Sequence, residues 1–155
     1  MMYFKLGQDR QRPHSVMINT KYPIRGFRET RDGDLSALDN VLAPFVHTSP
    51  INYYPDILDF EFYMIKGAIK DVFELFYPNM ELKHCVLIDK PEKKYTQYFI
   101  PHLDLFDFEL GIKFGSHIFR LKNARQIEVA VSLDVVEAIL RRKPNGIMIE
   151  PFKLV

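Results

Sequence analysis

The chain has 155 residues, 47% of them apolar and 26% charged, which suits one globular domain and excludes wholesale disorder. With 21 Lys and Arg against 20 Asp and Glu it lacks the basic excess of a bulk nucleic-acid binder. Its single cysteine, Cys85, excludes an internal disulfide framework and a multi-cysteine zinc cage.

Tyr3 to Leu6 reads as a short strand. From there to about Asp59 the chain is punctuated by Pro13, Pro23, Gly26, Gly33, Pro44, Pro50 and Pro55, which leaves little room for long helices. A short helical turn fits Leu35 to Leu42, with Asp34 as cap and Leu35, Leu38 and Leu42 on one face. Phe27, Phe45, Tyr53 and Tyr54 make this region one of packed loops, with no interdomain boundary. Met64 to Tyr77 predicts a helix with Ile65, Ile69, Val72, Phe73 and Phe76 on one face, stopped by Pro78-Asn79. Glu81 to Ile88 predicts a strand in which Leu82, His84, Val86 and Ile88 form one apolar face, while the opposite face of Lys83, Cys85 and Leu87 becomes apolar midway. A polar turn over Asp89 to Lys93 then leads to a strand over Tyr95 to Ile100, the signature of a β-hairpin.

Gly111 to Gly115 fits a strand better than a phosphate cradle. Ile127, Val129 and Val131 read as a strand. Ser132 is placed to cap a helix whose buried stripe is Val135, Val136, Ile139 and Leu140. Arg141-Arg142-Lys143 suit its negative end, Pro144 forbids continuation, and Asn145-Gly146 turns the chain into a last strand over Ile147 to Phe152. Both helices end in Pro-Asn before a strand. That hints at a duplication, but a shared stop signal explains it as simply, and the simpler explanation is preferred. The fold expected is a single α+β domain, residues 1 to 155: a mainly antiparallel sheet against two principal helices near 64–77 and 132–142, with an irregular N-terminal third.

Charge is segregated along the chain. Residues 1–31 carry seven bases against Asp9 and Glu29, whereas residues 32–61 carry six acids and no Lys or Arg. Asp104, Asp107 and Glu109 make a second acidic stretch, followed by Lys113, Arg120, Lys122 and Arg125. Pairing within the fold explains such blocks most simply. The sharper reading is an acidic patch facing a basic partner.

The acids repeat a pattern. Asp56-Ile57-Leu58-Asp59-Phe60-Glu61 and Asp104-Leu105-Phe106-Asp107-Phe108-Glu109 share D-x-x-D-F-E. Carboxylate oxygens can hold Mg²⁺ or Ca²⁺, so a metal-dependent enzyme is one alternative. The spacing is not that of a calcium loop, and solvent-facing acids are the favoured explanation. His14, His47, His84, His102 and His117 form no H-x-x-x-H or H-E-x-x-H pair. Cys85 reads as a buried structural thiol and not as a nucleophile. No G-x-S-x-G, P-loop or G-x-G-x-x-G occurs. The expectation is therefore no enzyme, no catalytic residue, no cofactor and no metal. Tyr53 and Tyr54, beside Asp56, are the kind of aromatic anchors that interfaces use.

The run Tyr77-Pro78-Asn79-Met80-Glu81-Leu82-Lys83-His84-Cys85-Val86-Leu87, with the helix before it, resembles the centre of the imm-eleven group of bacterial immunity proteins from polymorphic toxin systems. Val131-Ser132-Leu133-Asp134-Val135-Val136-Glu137-Ala138-Ile139-Leu140, then Asn145-Gly146-Ile147-Met148-Ile149-Glu150-Pro151, is similar to that group's closing pattern. Met2-Tyr3-Phe4-Lys5-Leu6 is similar to its first strand. These motifs cover about 64–89 and 127–152 and are structural rather than catalytic. The resemblance implies a protein that binds and neutralises a cognate toxin, with partner specificity expected in the unmatched 7–61 segment. The contact residues expected are Tyr53, Tyr54, Asp56, Asp59, Glu61, Asp104, Asp107 and Glu109, facing a basic toxin surface; a non-catalytic adaptor is the other alternative. Neither nucleic acid nor membrane is an expected partner. No apolar run reaches membrane-spanning length, the first ten residues lack a signal-peptide core, and one cysteine suits a reduced cytoplasm.

Overall fold

The architecture, a computed structural model, describes residues 2–27, 35–106, 116–121 and 127–152. In chain order the elements are β1 (Tyr3–Gln8), β2 (Val41–Leu42), β3 (Ile57–Leu58), β4 (Met64–Ile65), α1 (Gly67–Phe76), β5 (Leu82–Asp89) and β6 (Lys94–Pro101). Then come β7 (Leu105–Phe106), β8 (Ile118–Leu121), β9 (Glu128–Ser132), α2 (Leu133–Leu140) and β10 (Ile147–Phe152). The strands make two five-stranded sheets, β10-β1-β9-β8-β7 and β2-β5-β6-β4-β3. Each is mixed: β7 runs parallel to β8, and β2 parallel to β5. The α+β class is as expected. The one mainly antiparallel sheet is corrected to two mixed sheets, because residues 41–65 supply three short strands within a stretch expected to be loop and helix.

The helices lie together between the sheets. Their common core joins Ile69, Val72 and Phe73 of α1 with Val135, Val136 and Ile139 of α2. Leu6, Ile118, Val129 and Val131 enter it from the first sheet, and Ile57, Ile65 and Phe99 from the second. Removing this apolar area from water is the main favourable contribution to folding. α1 starts later than predicted, since Met64 and Ile65 pair in β4 with Leu58 and Ile57. Leu140, expected in the stripe of α2, is 54% exposed. The helix ends there, and Leu140 lies outside the buried Val135, Val136 and Ile139 stripe.

The two halves repeat one plan. In the second sheet, β4 leads through α1 to β5, and β6 lies between β4 and β5, antiparallel to both. In the first, β9 leads through α2 to β10, and β1 takes the middle place, again antiparallel to both neighbours. Shifting Lys66, the N-cap of α1, onto Ser132, the N-cap of α2, carries the fully buried Ile69 and Phe73 onto the fully buried Val135 and Ile139. Phe99 faces Ile65 across one ladder, and Phe4 faces Val131 across the other. The Pro-Asn echo thus belongs to two split β-α-β units, so the duplication set aside from sequence is restored at the level of topology.

The described segments between β1 and β3 have a defined task. Val16, Ile18, Leu35, Leu38, Leu42, Val46 and Tyr54 cover the outer face of the second sheet and pack on Cys85, Leu87, Tyr98 and Ile100. Of the two faces of β5, the one expected to turn apolar midway is the more buried. Cys85, Leu87 and Asp89 are buried, while His84 is exposed. Only a single 3-10 turn, Leu35–Ala37, forms where a longer helical turn was expected, because Val41 and Leu42 join β5 as β2. The cap expected at Asp34 and the strand expected at 111–115 lie outside the described residues.

Candidate functional site

The acids singled out from sequence fall at the junction of the two halves. Asp56 Oδ2 accepts the Asn145 N–H at 2.8 Å, and the Asp56 N–H donates to the Asn145 carbonyl at 2.9 Å. Asp59 Oδ2 accepts the Gln8 N–H at 2.9 Å, and Oδ1 meets Arg10 Nη2 at 2.6 Å. The first pair joins the strap before β3 to the α2–β10 turn; the second joins the end of β3 to β1. Burial raises the Asp59 carboxyl above its ordinary value, against the hydrogen bond from Gln8 and the charge of Arg10. Gly7 makes the approach of Asp59 feasible, because a Cβ there would lie 2.6 Å from Oδ2.

The two tyrosines carry cations. Arg12 stacks on the half-buried ring of Tyr53 at 4.1 Å, and Lys94 sits 4.4 Å from the ring centre of Tyr54. Tyr54 itself is only 8% exposed, and its carbonyl accepts Lys66 Nζ at 2.6 Å. Desolvation lowers the Lys66 pKa, nearby Lys94 acts in the same direction, and Asp56 opposes both. The ring of Tyr53 also lies against Gly146, whose φ of 69° and lack of side chain admit the contact.

The surface around Tyr53, Tyr54 and Asp56 is therefore cationic and aromatic, with its acids turned inward to backbone donors. The sequence reading missed Arg10, Arg12, Lys66 and Lys94 here, and also Asn145. Only the bases of the N-terminal block and the Asn145-Gly146 turn gave a signal for them. Glu61 is half-buried near Phe60 and Met64, and it forms no ion pair among the described residues. Asp104 is exposed and accepts the Tyr77 hydroxyl at 3.1 Å. No described hydrogen bond or ion pair joins it to Asp56, Asp59 or Glu61. Asp107 and Glu109 lie outside the described residues.

Other chemistry finds little support among the described residues. No group of three His, Cys, Asp or Glu is placed to hold a metal ion. Cys85 is fully buried, and desolvation pushes its thiol up to about 12. Two hollows of about 20 Å³, room for one water each, are lined mainly by apolar side chains such as Leu35 and Phe62, or Val16 and Leu58. No helix is long and apolar enough to cross a membrane.

Asp89, expected to open a polar turn, is a buried anchor at the end of β5. Its Oδ1 accepts Thr48 Oγ1 at 2.5 Å, and its Oδ2 accepts the Ser49 N–H at 3.3 Å. Burial works to raise its pKa, but hydrogen bonds from Thr48, Ser49, Glu92 and Asn52 outweigh it and hold the carboxyl below its ordinary value. The chain matches no family model, no curated protein and no solved structure.

Proposed function

We propose that this protein is an immunity protein that works in the cytoplasm by binding a cognate toxin of the same bacterium. The observation that carries the reading is the coincidence of motif and unit. The two segments resembling the imm-eleven group, about 64–89 and 127–152, fall on the two split β-α-β units, with their helices back to back. What surrounds that scaffold suits macromolecular contact. The cation-stacked, half-buried Tyr53 and the exposed Phe60 and Glu150 lie on strands and straps tied down by Asp56 and Asp59, whereas Tyr54 serves the core beneath them. Of the expected acids among the described residues, Glu61 and Asp104 are the ones left to meet a basic toxin surface directly. Asp56 and Asp59 hold the two halves together.

The test is co-expression with the small C-terminal domain of a large secreted protein encoded next to this chain. Protection of growth and a purified one-to-one complex are expected. A toxic neighbour that kills equally well in the presence of this chain overturns the reading.

A further inference from the structure

Among the described residues, three of the four sheet edges are strands of two residues, β2, β3 and β7. Such edges are too short to template another strand. The fourth edge is β10, six residues reading Ile-Met-Ile-Glu-Pro-Phe, guarded only by the charge of Glu150 and by Pro151 near its end.

The hydrogen-bond phase of this edge is fixed. Asp9 donates to the Gly146 carbonyl at 2.9 Å, one step beyond the β1–β10 register. Antiparallel bonding alternates, so Met148, Glu150 and Phe152 exchange bonds with β1. Ile147, Ile149 and Pro151 turn their backbone groups the other way. Two details agree with that phase. The Gln8 N–H, which must point away from β10, is the one taken by Asp59. Pro151, which has no N–H to offer, falls where no bond to β1 is needed.

We infer that the outer edge of β10 accepts an extended segment of the partner protein as a sixth strand of the first sheet, through the backbone groups of Ile147 and Ile149 and the carbonyl of Pro151. The inference rests on the binding function proposed above and names its surface. The segment suited to this edge carries Lys or Arg across from Glu150, which is exposed; Lys5, opposite it on β1, pairs with Glu128 instead, and Glu150 forms no ion pair among the described residues. Met148 and Phe152, half-buried and on the same face as Glu150, favour apolar neighbours for that base. A second copy of the chain fits less well. Pairing β10 with itself about Ile149 sets Pro151, without an N–H, against Ile147. Pairing about Met148 sets Pro151 against Asn145, whose N–H and carbonyl are already bonded to Asp56.

The probe is a capped Val-Lys-Val-Lys-Val peptide, followed by amide exchange in the full chain. Exchange at Ile147 and Ile149 is expected to slow on peptide addition, while Met148 and Glu150, already bonded, stay unchanged. Glu150→Lys leaves the fold intact and should weaken this peptide about fivefold while favouring its Glu counterpart. Ile149→Pro, which removes one of the two reporting amides, should abolish the protection at the other, Ile147, at an unchanged far-ultraviolet spectrum. Protection elsewhere, or a concentration-dependent dimer that already shields Ile147 and Ile149, overturns the inference. With the toxin in hand the two readings separate. Neutralisation that survives both variants removes β10 as the interface and leaves immunity standing. Peptide addition at β10 without neutralisation of any toxin removes immunity and leaves the edge.

Discussion

At the residue scale, the carboxylates differ by what they hold. Asp59 answers a strand N–H and a guanidinium with its side chain 12% exposed, so removing it leaves both unpaired. Asp59→Ala should cost about 1–3 kcal/mol in denaturant unfolding, whereas Glu61→Ala should stay within about 0.5 kcal/mol. The same Glu61 change should reduce toxin association if that residue faces a basic surface, and the loss should shrink at high salt. Asp89 gives a pH signature. Its folded pKa lies below the ordinary 3.8, so its contribution is present above that value and is lost as pH falls through the folded pKa. Asp89→Asn should therefore be less stable than the parent by about 1.5–3 kcal/mol at pH 7. The gap should close on acidification below the carboxylate range, and a gap that is constant with pH would contradict this role. None of these partnerships was legible in the sequence. Asp56 reaches Asn145 across 89 positions and Asp59 reaches Gln8 across 51, and no spacing rule links such pairs.

At the scale of the element, local signals were enough where the determinants were local. Ser132, Pro144 and Asn145-Gly146 bracket α2 and β10, and the structure starts and stops those elements there. Ser132 Oγ accepts the Val135 N–H at 3.4 Å and lies 2.8 Å from His117 Nδ1, so Ser132→Ala should cost about 1 kcal/mol. In α1, Phe73 is fully buried while Leu75 is 65% exposed. Phe73→Ala should lose about 3–5 kcal/mol, and Leu75→Ala should lie within about 0.5 kcal/mol. Equal losses at the two positions would mean that the helix buries a different face. Signals failed where burial is decided from afar. β5 turns Cys85 and Leu87 inward because loops from the first sixty residues cover that face; with apolar residues on both sides, Leu82–Asp89 alone leaves open which side is the more buried. The two-residue strands β2, β3 and β4 are too short for periodicity to register.

At the scale of the molecule, the shared core predicts one unfolding transition, not two. Tyr3 packs on Phe119 in the first sheet, and Tyr98 is buried in the second, so each sheet carries its own tyrosine signal. Both signals should be lost at one midpoint on heating; separate midpoints would mean that the units are held only by their straps. The place of β1 has a further consequence for the order of assembly. In the second unit all five pieces, β3 to β6 with α1, are contiguous in the chain. In the first, the middle strand β1 is made first, and its neighbours β9 and β10 come after nearly everything else. Contacts between distant parts of a chain close slowly. A ribosome would thus release β1 into solution unpaired, exposing Leu6 and Gly7 while the second unit gathers behind it. Pulse-labelling of amides during refolding should protect β5 and β6 before β1, and nascent chains stalled before residue 127 should leave β1 open to protease.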